Sequence, residues 1–158
     1  MYFTFSLFIV ALGIIAAHVD CLQLQSCDDH PRVRLHQVDL NPSDIHSNQE
    51  LGIDAIWNVV QEIDKPLKAE VKLFKKIGFI KAQLPCKNNI GSCTYDLCAD
   101  GSVPICNTKR GMHRSNGYKL KVPNFPPEAL GSYDVEIRIV DGKNRNFGCW
   151  KTSANVVR

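Results

Sequence analysis

The sequence has little excess of either charge, no second long apolar run, no stretch of convincing helical period and no internal repeat. It also lacks the short motifs that activate a nucleophile or cradle a phosphate, since G-x-S-x-G, H-E-x-x-H and glycine-rich phosphate loops are all missing. Each absence removes a class of function. A net charge of +3, spread over several segments without stacking aromatics, argues against nucleic acid as a partner. His30, His36, His46 and His113 have no metal-ligand spacing, and no paired C-x-x-C grouping is present for zinc. Neither a metal nor any cofactor is therefore expected. Asp134 and Glu136 alternate with apolar residues, the placement of solvated carboxylates and not of a general acid/base pair. The chain is not expected to be an enzyme. It also lacks a usable N-glycosylation sequon, because Pro42 blocks Asn41-Pro42-Ser43.

What is present starts with an apolar, uncharged run from Tyr2 to Ala17. It is short for a bilayer span of about 20 residues, and reads as a secretory signal. Residues 1–21 are expected to be cleaved, leaving 22–158 as one domain. The cleavage point is open between Ala17 and Cys21. Cutting after Cys21 reduces seven cysteines to an even six: Cys27, Cys86, Cys93, Cys98, Cys106 and Cys149. In an oxidising compartment these would form three bridges and leave no reactive thiol. Fifteen connectivities are possible, and joining neighbours is the simplest local solution.

Periodicity then sets the fold class. Leu51, Ile53, Ala55, Trp57 and Val59 recur at every second position, as do Leu67, Ala69, Val71 and Leu73, and again Tyr133, Val135, Ile137 and Ile139. Charged residues fill the gaps in the last two runs, so each strand has a dry face and a wet face. Shorter strands are expected at 33–40, 79–84, 92–97, 118–122 and 147–157. Turn signals separate them at 41–43, 64–66, 99–101, 123–127 and 141–144, the last reading as a hairpin. The expectation is an all-β, two-sheet antiparallel β-sandwich stapled by disulfides.

Leu67-Lys68-Ala69-Glu70-Val71, Leu84-Pro85-Cys86, Ile90-Gly91-Ser92-Cys93-Thr94-Tyr95 and Gly148-Cys149 together resemble the ML (lipid-recognition) domain family, and within it the lysosomal ganglioside activators. The resemblance runs from about Ser26 to Val157. It implies an immunoglobulin-like β-cup with an apolar cavity between splayed sheets, and bridges joining Cys27 with Cys149, Cys86 with Cys93, and Cys98 with Cys106. It further implies a protein of the secretory route or lysosomal lumen that extracts a glycolipid, sphingolipid or phospholipid from a membrane and presents it, with a soluble lysosomal glycosidase as the collaborating enzyme. The chain departs from the activators in lacking their additional cysteine pair, and in carrying Lys81 where a membrane-probing Trp is expected. A secreted lipid or glycolipid recognition module in immune or receptor signalling is the alternative function.

Burying a lipid tail is worth about 0.8 kcal/mol per methylene, so a carrier needs a large dry space. The alternating strands offer Trp57, Val71, Leu73, Tyr118, Leu120, Val122, Ile137, Ile139 and Trp150 to line it. A filled core is the competing reading of those residues. Ile77, Phe79 and Ile80 surround Gly78 beside Lys75, Lys76 and Lys81, the mixture of a loop that dips into a transient membrane surface and meets its headgroups. Phe125 and Leu130, among prolines, form a second candidate rim. The basic run Lys109, Arg110, His113 and Arg114 is read as a solvated loop.

Overall fold

The computed structural model describes residues 22–99, 103–107 and 109–158; the expected signal at 1–21 lies outside the described residues. Ten strands form: β1 Gln25–Ser26, β2 Val33–Asn41, β3 Ile45–His46, β4 Glu50–Val59, β5 Lys68–Ile77, β6 Ile80–Gln83, β7 Thr94–Asp96, β8 Gly111–Lys121, β9 Gly131–Val140 and β10 Asn146–Val157. Short 3-10 turns lie at Pro104–Asn107 and Pro127–Ala129. Among the described residues no helix is long and apolar enough to cross a membrane.

The strands make two sheets. A seven-stranded sheet runs β1-β10-β9-β5-β6, with β3 added beside β10 and β7 beside β5; a three-stranded sheet runs β2-β4-β8. Pairing is antiparallel throughout, except that β3 lies parallel to β10. The alternation seen in the sequence becomes the two faces of each sheet. On β4, Leu51, Ile53, Ala55, Trp57 and Val59 share the inner face with Leu120, Tyr118, Ser115, His113 and Gly111 of β8, a β-bulge shifting the register between Ile53 and Ala55. On the large sheet the inner rows are Ala69–Ile139–Gly148, Val71–Ile137–Trp150, Leu73–Val135–Thr152 and Lys75–Tyr133–Ala154.

β8 is the strand that the sequence reading most understated. It begins seven residues before the expected Tyr118, because its inner positions there are Gly111, His113 and Ser115, which give no apolar alternation. The strand exists because β4 supplies a complete ladder for it, a tertiary cause. The hairpin expected at 141–144 is present and is held by Asp141, whose side chain is buried to 2% exposure. Its carboxylate accepts from the backbone N–H groups of Lys143 (3.0 Å) and Arg145 (2.8 Å) and from Arg145 Nε (2.7 Å). Burial alone would raise its pKa, but the hydrogen bonds from Arg145 and Lys143 outweigh it and hold the group below the ordinary carboxylate value.

The three bridges are Cys27–Cys149, Cys86–Cys93 and Cys98–Cys106, the pairing that the resemblance implied. The segment around Cys86–Cys93 is pinned flat onto β5, with Leu84 N donating to Leu73 O, Val71 N to Cys93 O and Leu73 N to the Ser92 hydroxyl. Gly91 adopts φ +110 there, and a Cβ on it would lie 2.1 Å from the Pro85 carbonyl oxygen. No other residue fits that approach.

Candidate functional site

The space between the sheets is unequal from end to end and from side to side. At one end Val33, Trp57, Val59, Leu67, Ile139, Phe147 and Trp150 form a closely packed cluster. Trp57 stacks on His113 with ring centroids 5.8 Å apart, and Arg32 lies 5.3 Å over the Phe147 ring. The Trp150 ring occupies the room that a side chain at Gly148 would need, since a Cβ there would sit 2.3 Å from it. The Trp57 indole nitrogen is buried and has no hydrogen-bond partner.

One lateral side is sewn shut. Leu22 N donates to Val38 O, Arg32 N to Phe147 O and Ser47 N to Val157 O, while β3 pairs with β10. These links join the edge formed by β2 to the edge formed by β10. At the far end the 3-10 turn at Pro127–Ala129 is tied to β9 by Tyr133, whose hydroxyl donates to Ala129 O at 2.7 Å.

The other lateral side, between β8 and the β5–β6 hairpin, is different. Leu120 belongs to the inner face of β8 yet is 44% exposed, and Ile77 and Ile80, on the inner side of the hairpin, are 58% and 69% exposed. Tyr118, Leu73, Val71, Val135 and Ile137 behind them are only half-buried. Gly78 takes φ +60 at the first turn position, where a type II′ hairpin wants glycine, and this leaves Phe79 fully exposed at the tip.

The residues expected from sequence therefore separate into groups. Trp57, Ile139 and Trp150 lie in the packed floor, and Val122 is buried beyond the end of β8. Val71, Leu73, Tyr118, Leu120 and Ile137 form partly open walls, and Ile77, Phe79 and Ile80 form one exposed tip. Phe125 and Leu130 are half-buried beside the turn at Pro127–Ala129. The three lysines are engaged by protein groups: Lys75 donates to the Glu128 carbonyl, Lys76 pairs with Asp134 at 2.7 Å, and Lys81 pairs with the same carboxylate. Of the basic run, Lys109 and Arg110 lie exposed ahead of β8, as the loop reading expected, whereas His113 and Arg114 belong to β8, with His113 turned inward against Trp57.

The outer face of the large sheet holds a feature absent from the sequence reading. A groove of about 550 Å³ is lined by Phe74, Lys81, Asp134, Glu136, Lys151 and Ser153, with Gln23 and Gln25 at one side. Its tiles follow from the register: Phe74–Asp134–Ser153 in one row, and Lys72–Glu136–Lys151–Gln25 in the next. Asp134 and Glu136 are thus not the freely solvated carboxylates expected. Hydrogen bonds from Lys76 and Lys81 hold the Asp134 carboxyl well below the usual carboxylate range, against a burial effect and with help from Ser153. Glu136 lies 3.4 Å from Lys72 and 3.5 Å from Lys151. The available signal was Phe74, an apolar residue out of phase on the wet face of β5.

Among the described residues no group of three or more His, Cys, Asp or Glu side chains could hold a metal ion. Comparison with known proteins agrees with the architecture. The chain is 25% identical over 180 residues to a ganglioside GM2 activator from Macaca fascicularis, covering 94% of each. A Niemann-Pick type C2 protein from the Japanese carpenter ant superposes with a TM-score of 0.52 at 14% identity, over 85% of this chain and 99% of that one. Chicken MD-1, solved in complex with lipid IVa, gives a TM-score of 0.45 at 16% identity, over 85% of this chain and 98% of that one. The sequence model of the ML domain matches residues 21–156, nearly the whole described chain, and with the two-sheet fold and its three bridges this shows that the protein belongs to the ML domain family.

Proposed function

We propose that this protein is a non-enzymatic lipid carrier of the secretory route or lysosomal lumen, which takes a glycolipid, sphingolipid or phospholipid between its sheets. The observation that carries the reading is the uncovered inner wall. Leu120, Ile77 and Ile80 point to the same space as the packed floor residues, yet remain exposed where β8 and β6 part. Fully burying such a side chain is worth about 1.5–3 kcal/mol, and at 44%, 58% and 69% exposure roughly half of that per residue is open to a bound acyl chain.

Loading follows from the tip. Phe79, Ile77 and Ile80 enter the interfacial layer of a bilayer, which places the gap between β8 and β6 against the lipid tails. Lys76 and Lys81 stand on the same hairpin, where a headgroup phosphate or carboxylate can join Asp134 at their ammonium groups. The kinship with a ganglioside GM2 activator favours a glycolipid as cargo and a soluble glycosidase as the enzyme to which it is presented.

Organic extraction of the purified protein followed by mass spectrometry tests the proposal, together with transfer of a labelled lipid between vesicles. Bound lipid and transfer are expected. Lipid-free protein that also moves no labelled lipid would end the carrier reading.

A further inference from the structure

The groove lies on the outer face of the large sheet, where Phe74, Asp134, Glu136, Lys151 and Ser153 alternate with the inner rows of β5, β9 and β10, and Val135 and Thr152 of one inner row also line it. We propose that this groove is a binding site for a short, neutral saccharide. The inference does not require that the inner space hold a lipid.

The groove's size, charges and lining point to that chemistry. The groove's volume of about 550 Å³ is that of a site for a ligand of a few sugar rings. Among the residues that line it, Lys81 and Lys151 balance Asp134 and Glu136, while Lys72 and Lys76 contact the same carboxylates from outside the lining. The charges are also arranged so that neither sign of ion is welcome. The carboxylates stand on the central strand β9 and the ammoniums stand to either side on β6 and β10, so an anion meets Asp134 and Glu136 at the floor and a cation meets lysines at both walls. A neutral polyol can donate its hydroxyl hydrogens to the carboxylates and accept from the lysines.

The polar groups are already held in place. Ser153 Oγ donates to Asp134 Oδ1 at 2.8 Å, Lys76 reaches the same oxygen at 2.7 Å and the Ser153 hydroxyl at 3.1 Å, and Lys81 holds the other oxygen. A ligand therefore meets fixed acceptors, which lowers the ordering cost of binding. Phe74 adds the one apolar surface in the row, beside Asp134. A pyranose ring has the matching composition, an apolar C–H face for the ring and a hydroxyl rim for its neighbours. Gln23 and Gln25 supply amides that can both donate and accept at one end.

The saccharide can come from two sources, a free glycan or the headgroup of a carried glycolipid. Titrating the isotope-labelled full chain with lactose, maltotriose and chitotriose, and with 3′-sialyllactose as an anionic control, tests the first; loading it with galactosylceramide against ceramide tests the second. Amide shifts centred on Phe74, Asp134, Glu136 and Lys151 are expected from at least one neutral sugar, free or lipid-borne, and no more than weak shifts from sialyllactose. Phe74→Ala should weaken neutral-sugar binding about tenfold. Glu136→Gln leaves the fold's packing in place but removes a floor anion, so it should weaken neutral-sugar binding and strengthen sialyllactose binding. Neither variant should alter the transfer of ceramide, which has no sugar, between vesicles. Absence of groove shifts with every sugar at tens of millimolar, with ceramide and galactosylceramide indistinguishable, overturns the proposal; so do shifts that persist unchanged in both variants.

Discussion

The floor of the cup and its open side are built from the same materials. Trp57 and Ile139 come from the same alternating strands β4 and β9 as Ile53 and Ile137, and by sequence pattern nothing separates the pairs. Yet the first pair is buried in the core cluster and the second is only half-covered. Alternation reports which face of a sheet a residue occupies, and the depth of cover depends on what stands opposite. At the floor, Phe147 and Leu67 fill the gap and the Arg32 strap closes it. Between β8 and β6 no strand among the described residues bridges the edges, and Leu120 and Ile80 stay in contact with solvent.

That contrast can be broken most severely through the staple of the closed end. Removing the Cys27–Cys149 bridge with paired Ser substitutions frees a loop with a sequence separation of 122 and should cost about 4–5 kcal/mol on the chain-entropy account, read as a lower urea midpoint. Phe147→Ala, at 0% exposure, should cost about 4 kcal/mol by leaving a cavity in the floor.

Asp141→Asn should cost about 2 kcal/mol, because Arg145 would lose its buried partner while keeping some solvent contact. Its pH dependence has a definite sign. The folded pKa lies below the unfolded value, so the contribution is complete above about pH 4 and disappears as pH falls through the folded value. The stability gap between wild type and variant should thus be equal at pH 7 and pH 5 and narrow toward pH 3; a gap that closes already at pH 5 would contradict the assigned shift.

The smallest effect on stability belongs to the open side. Replacing Ile77, Phe79 and Ile80 together with Ser should change unfolding free energy by about 0.5 kcal/mol or less, since all three are exposed already. Vesicle-to-protein transfer should nevertheless slow severalfold. A large loss of stability would mean that the tip is structural, and unaltered transfer would remove it from the loading step.

Much of this architecture was legible in the residues. Alternation located β2, β4, β5, β9 and β10, turn residues marked the hairpin at Asp141, and the motif elements around Cys86 and Cys93 carried the correct bridges. The candidate site was legible in part. Alternation nominated its apolar residues, but not their division into floor, wall and tip, nor the ties of Lys75, Lys76 and Lys81 to Glu128 and Asp134. The outer groove escaped because its members come from β1, β5, β6, β9 and β10, and neighbours in a sheet need not be neighbours in a chain.

What the sequence determined alone is local: period-two alternation, glycines at Gly78 and Gly91 where the backbone requires them, and the six cysteines that form the three bridges. Tertiary structure decided the rest, including the long β8 that only β4 can template, the edge where the sheets part and the tiling of Phe74 beside Asp134. The physical reason is that a strand's pattern encodes its own two faces, whereas cover, charge pairing and concavity arise from strands far apart in the chain.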